Sequence, residues 1–281
     1  MGWLTQKYTK SVVVYASFGG KKRLSLHKAN TFMKHTIVYL FLIAIFFAGC
    51  SSKVADYKLD PLTNWHPTTV GKFITYKVDS TIFINFGTAK VVRTGFVKDV
   101  FEQAVTDNLG RPSTRITRYF KRNLTDSWAN ANTFYATITD NGNTAEYIEN
   151  NLRYIRLKNP VRNDFSWLGN SFIIETNSSS NDLDYLRSWN YTYKNIDAPY
   201  TVNAVTIPQT ITVQQANSVI GDTLNPASVS EINKSIEVFG KGIGLIFKDF
   251  YHAEYQPASS GGSAGYRSNS YGIRLTMIDR N

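Results

Sequence analysis

The chain holds one cysteine, Cys50. A disulfide within the chain is thereby excluded, as are Cys-x-x-Cys redox motifs and cysteine-rich zinc sites, which need at least two thiols. Histidine is nearly as scarce. Only His66 and His252 follow Cys50, and no HxxH, HxH or HExxH spacing occurs, so a metal centre would have to be assembled from distant residues and none is expected. Neither histidine sits in a context recognisable as a serine triad, and each reads as a surface or boundary residue. Acidic residues are missing from the first 49 positions, which carry seven of the 31 Lys and Arg residues. Behind them 24 basic residues face 21 acidic ones, so most of the formal charge of +10 belongs to the leader. A body so nearly balanced lacks the electrostatic footprint of a nucleic-acid binder, and no such partner is expected.

Long apolar runs reduce to IVYLFLIAIFFA at residues 37–48. Twelve residues rise about 18 Å as a helix, against roughly 30 Å for a bilayer core. That length suits a signal-peptide h-region, with Lys34 ahead of it and the small residues Ala48 and Gly49 behind. Met33 makes a far better start than Met1, because a secretory n-region is short. Residues 1–32 therefore read as an upstream extension of the gene, 33–49 as the signal peptide, 50–64 as a polar tether and 65–281 as one folded domain.

Aromatic residues are plentiful, with 17 Tyr, 17 Phe and 5 Trp making 14% of the chain. They combine with β-branched residues in runs at hairpin spacing. Residues 71–86 read as a strand with a break near Asp79. Residues 88–106 and 113–121 form a hairpin around a Gly- and Pro-containing turn, and 133–139 and 145–157 form another around Asn141-Gly142. The clearest alternation is Tyr185, Arg187, Trp189, Tyr191 and Tyr193, an aromatic stripe on one strand face. Ile207, Ile211 and Val213 mark a further strand. Residues 242–255 and 271–278 close the domain around a Gly/Ser-rich loop. Ile232, Ile236 and Phe239 fall at helical spacing behind Ser230, which predicts one short helix over 230–239. The expected fold is mainly β: a single antiparallel curved sheet or incomplete barrel with one short helix, the alternative being a β-sandwich.

Phe47-Ala48-Gly49-Cys50 resembles the lipobox of a bacterial lipoprotein signal sequence, with Phe47 where Leu is commonest. The resemblance implies cleavage before Cys50 and acylation of its thiol and new amino terminus, two or three chains being needed for stable anchoring. The body resembles a group of secreted Bacteroidetes lipoproteins through VGKFITYKVDS at 70–80, ENNL at 149–152, SWLGN at 166–170, GIGLI at 242–246 and the final Ile278-Asp279. That likeness implies a β-rich lipoprotein of the cell envelope, held at the outer membrane by lipid on Cys50. It carries over no catalytic residue.

Few side chains suggest chemistry. Gly240-Lys241-Gly242-Ile243-Gly244 lacks the strand–glycine–helix order of a phosphate loop, so no cofactor is expected. Glu146 and Glu149 stand at i and i+3, on opposite faces of a strand, and would not flank one glycosidic bond. Asp182 and Asp184 share a face but read as solvated charges. Tyr185, Trp189, Tyr191 and Tyr193, together with Trp65, Trp128 and Trp167, are either core or a stacking surface for a sugar or peptide. The expected function is non-catalytic binding of a glycan or protein partner by an anchored lipoprotein. The alternatives are an envelope glycan-acting enzyme and a lipid-binding half-barrel.

Overall fold

The structure is a computed structural model describing residues 59–173, 183–187 and 189–281. The expected signal peptide, Cys50 and residues 51–58 of the tether lie outside the described residues, as does Asp182.

Thirteen strands follow one another: β1 (Phe73–Ile84), β2 (Ala89–Thr106), β3 (Pro112–Lys121), β4 (Ala129–Thr139), β5 (Thr144–Glu149), β6 (Leu152–Lys158), β7 (Ser166–Leu168), β8 (Asn190–Val202), β9 (Val205–Ile220), β10 (Ser230–Gly240), β11 (Gly244–Gln256), β12 (Gly265–Tyr266) and β13 (Tyr271–Arg280). They join in the order β6-β5-β4-β3-β2-β1-β13-β11-β10-β9-β8-β7, with β12 a short addition to β11. The fold is a single antiparallel sheet wrapped into a nearly closed barrel, and not two packed sheets. Two meanders build it. The first and last strands, β1 and β13, pair from Ile74↔Arg280 to Ile82↔Tyr271 and zip the meanders together. The unpaired edges β6 and β7 come from the middle of the chain and meet at a seam.

Turn chemistry sets the meander. Asn150 and Asn151 both have positive φ, 52° and 62°, which Asn tolerates better than most residues and which two-residue hairpins require. They split the expected strand 145–157 into β5 and β6. Residues 71–86 carry no break, since β1 pairs with β2 without interruption from Phe73 to Ile84.

Each strand turns alternate residues into the barrel. Ile74 and Tyr76, Asp99 and Phe101, Ile116 and Arg118, Tyr147 and Glu149, and Arg156 line the lower lumen with Leu245, Lys248, Ile273 and Leu275. The lower end is stoppered by the segment before β1. Leu62–Asn64 form a 3-10 turn, and Leu62, Trp65 and His66 are buried. The Gly242 amide donates to the Asn64 carbonyl, and a Cβ on Gly244 would come 2.8 Å from the Pro67 ring. The folded body thus starts before residue 65, taking in the last residues of the expected tether.

The helix expected over 230–239 is a correction. These residues are β10, hydrogen-bonded to β9 on one side and β11 on the other, and the helices among the described residues are three short 3-10 turns. Asn233, Ser235 and Glu237 are the buried face, while Lys234 is exposed. Because this strand points polar residues inward, its period-2 pattern is inverted, and the apolar positions left over mimic a helical spacing. The aromatic stripe is also corrected in part. Tyr185 lies in a 3-10 turn, Asp184–Leu186, and β8 begins only at Asn190, after Trp189.

The far end of the β8–β9 hairpin bends over the outer face of β11. A double irregularity in β8 near Lys194 and Ala198, with positive φ at Asn195 and Asp197, makes the bend, and Tyr200 packs at a tilt against Phe247, ring centres 5.7 Å apart.

Candidate functional site in the barrel lumen

Glu237 is 2% exposed by side chain and sits inside the barrel. Arg156, on β6, reaches across the lumen and holds both its oxygens, at 2.9 and 3.0 Å, while Lys248 on β11 stands 3.3 Å from one of them. Burial alone would raise the Glu237 carboxyl, but the two cations outweigh it and hold it at about 2. The Arg156 guanidinium is further placed by the ring of Tyr147, 4.3 Å away. A second ionic group lies on the other wall. Asp99 takes Arg118 in a two-pronged pair at 2.6 and 2.7 Å, and Glu149 stands 3.9 Å from the same guanidinium.

Above these groups a cavity of about 290 Å³ occupies the upper lumen. Its walls are Tyr147, Tyr154, Trp189, Tyr191, Phe250 and Tyr271, with Glu149, Gln215, Glu237, Arg156 and Lys248 among them. It is reached past Asn150, at the exposed β5–β6 turn, and Tyr271, at the start of β13. A narrower space of about 50 Å³ continues below to His66 and Pro67. Tyr191 donates to Asn170 Oδ1 at 2.7 Å. Burial, foremost, keeps the Tyr147, Tyr154 and Tyr191 hydroxyls well above the ordinary tyrosine range, so they remain neutral hydrogen-bonding groups.

The outer face of the sheet carries a larger groove, of about 730 Å³, over β1, β13, β11, β10 and β9. Of its four lining charges Asp79, Asp249 and Arg274 are matched, and the fourth, Lys234, is exposed to water. Arg274 pairs with Asp249 at 2.6 Å, and Asp79 takes Lys77 at 3.0 Å and the Thr94 hydroxyl at 2.6 Å. The lumen, where charge is shared unevenly, is the better candidate.

No family model, curated protein or solved structure matches the chain.

The structure brings the four expected aromatics to the upper lumen and its rim. Trp189, Tyr191 and Tyr193 are buried, and Tyr185 is partly buried. Trp189 and Tyr191 line the cavity. Tyr193 packs at a tilt against Trp167, ring centres 4.6 Å apart, beside the seam, and Tyr185 lies parallel to His252 at 3.6 Å. So the stripe is core, and part of that core is also cavity wall. Trp65 and Trp167 are buried, not exposed. His66 and His252 are likewise buried, at 4% and 1% exposure. Burial and Arg156 push the His66 ring down to about 3, and burial lowers His252, whose Nδ1 is 2.7 Å from Asn233 Oδ1. Glu146 and Glu149 do diverge. Glu146 is bound by Arg111 and Arg153 at 3.1 and 2.7 Å, whereas Glu149 enters the lumen. Asp184 pairs with Arg187 at 3.2 Å. Gly261-Gly262-Ser263-Ala264-Gly265 has the spacing of a nucleophile elbow, but Ser263 is exposed in the loop ahead of β12 with no helix following it.

The residues that sequence reasoning missed are Arg118, Arg156, Glu237 and Lys248. Their only signal is a charge in period-2 register with an aromatic residue, as in Tyr154 and Arg156 or Glu237 and Phe239.

Proposed function

We propose that the chain is a lipid-anchored protein of the bacterial cell envelope, attached through Cys50, whose barrel binds a small polar ligand in its lumen without transforming it. The observation that carries the binding reading is the cavity itself, closed below by Leu62–Asn64 and His66, reached from above, and walled by aromatic rings with a few convergent charges. Ligand sites commonly have this composition, though at about 300 Å³ or more. The lipobox and the short h-region support the anchor. They make the outer membrane the expected location, with the tether leading from lipid to barrel.

The alternatives fit less well. An acyl chain is a poor occupant for a space lined by Glu149, Glu237, Arg156 and Lys248, since these charges would lose solvation with nothing returned. A glycosidase needs a carboxylic acid held protonated near neutral pH. Glu237 is held at about 2, the opposite direction.

Fractionation tests the anchor. Cys50→Ala should move the protein from the membrane to the soluble fraction, and the wild-type mature peptide should carry the mass of its acyl chains. Retention of Cys50→Ala in the membrane would contradict the reading.

A further inference from the structure

The geometry points to a small zwitterion as the ligand of the lumen: a free α-amino acid or dipeptide with an apolar or aromatic side chain. This rests on the lumen being the binding site. Two cations from facing walls, Arg156 on β6 and Lys248 on β11, share the single carboxylate of Glu237, which leaves a local surplus of one positive charge on the Lys248 side. Across the lumen two carboxylates, Asp99 and Glu149, share the single guanidinium of Arg118, and Asp99 takes both of its short contacts. That leaves a local surplus of one negative charge, centred on Glu149, so the lumen is balanced as a whole but polarised from one side to the other. Lys248 and Glu149 both face the cavity. They come from β11 and β5, which stand six places apart in a path of twelve strands and so on facing walls.

On the outer face Asp249 and Arg274 pair one to one, whereas the lumen's three cations and three carboxylates are shared unevenly between two groups. Lys248 and Glu149 are partly shielded from water, at 21% and 28% side-chain exposure. An ammonium near Glu149 and a carboxylate near Lys248 would complete both ionic groups at once, with hydrogen bonds to charged partners stronger than those to neutral ones. Trp189 and Phe250, which touch each other with ring centres 5.8 Å apart, would offer the side chain a joint apolar surface. A neutral sugar would satisfy the aromatic walls and leave Lys248 and Glu149 with only their shared partners, Glu237 and Arg118.

Calorimetric titration of the mature protein separates the possibilities. The probes are L-phenylalanine, L-leucine and glycyl-L-phenylalanine, against phenethylamine, which lacks the carboxylate, 3-phenylpropanoate, which lacks the ammonium, and N-acetylglucosamine. At least one zwitterion should bind tenfold or more tighter than either single-charge analogue. Lys248→Met should weaken that zwitterion and 3-phenylpropanoate at least tenfold while sparing phenethylamine, and Glu149→Gln should weaken the zwitterion and phenethylamine at least tenfold while sparing 3-phenylpropanoate, with circular dichroism confirming that both variants fold. Binding of N-acetylglucosamine with no zwitterion bound would overturn the inference and leave the lumen as the site. Equal affinity for zwitterion and analogues, or zwitterion binding unmoved by both substitutions, would also overturn it. No binding by any probe would count against inference and lumen site together.

Discussion

Single side chains decide how this barrel responds to acid. His66 is buried at the base of the lumen with its ring edge-on to Tyr147, 5.9 Å away, and is held at about 3 by burial and by Arg156. The unfolded chain takes up that proton near pH 6.5, while the folded chain refuses it down to about 3. The stability His66 contributes is therefore complete above pH 6.5 and is lost as the pH falls toward 3. Glu237 acts in the same direction lower down: it is ionised in the fold to about pH 2, against an ordinary 4.5, so its contribution fades between those values. His66→Phe should flatten the fall in stability between pH 6.5 and 4, measured by urea unfolding at a series of pH values. An unchanged slope would mean that the ring is protonated in the fold.

At the level of elements, β10 carries the sharpest lesson. Its central place between β9 and β11 makes β propensity, not helix propensity, the relevant scale at the exposed position Lys234. Lys234→Thr should therefore be more stable than Lys234→Ala, by up to about 1 kcal/mol. A helix would order the two the other way, and equilibrium unfolding of both variants reads the difference. The hairpins of the first meander were legible because Asn-Gly and Gly-Pro clusters are local signals, and β9, β11 and β13 were legible because their apolar residues alternate. Three features were not. The inward charges Arg118, Arg156 and Glu237 look like solvated residues until the sheet closes and gives them partners distant in sequence, as Arg156 and Glu237 are. The turn at Asn150-Asn151 was hidden inside a continuous β-like run. Tyr185 fell on the period of β8 by coincidence of spacing, although its turn precedes the strand. The candidate site shares this limit: its aromatics showed in the sequence, but its charges exist as a site only in the wrapped sheet.

Across the whole molecule, the barrel is as sound as its seam. Between β6 and β7 the Ile155 amide donates to the Gly169 carbonyl at 2.7 Å, and the Trp167 indole donates to the Ile155 carbonyl at 2.7 Å. The Tyr193 hydroxyl bridges Lys158, accepting from its amide and donating to its carbonyl, each at 3.0 Å. Tyr193→Phe removes both contacts and should cost about 1–3 kcal/mol, lowering the melting temperature by roughly 2–4 °C per kcal/mol; a change under about 1 °C would mean that the seam is held elsewhere. The central claim is that the lumen, and not the outer groove, receives the ligand. Hydrogen–deuterium exchange of the mature protein, with and without a saturating mixture of L-phenylalanine, glycyl-L-phenylalanine and N-acetylglucosamine, tests it most directly. Slowed exchange is expected over residues 147–156, which border the cavity and have no part in the outer groove, with 79–81 and 216–219 unchanged. Protection confined to 79–81 and 216–219, or no protection anywhere, would contradict it.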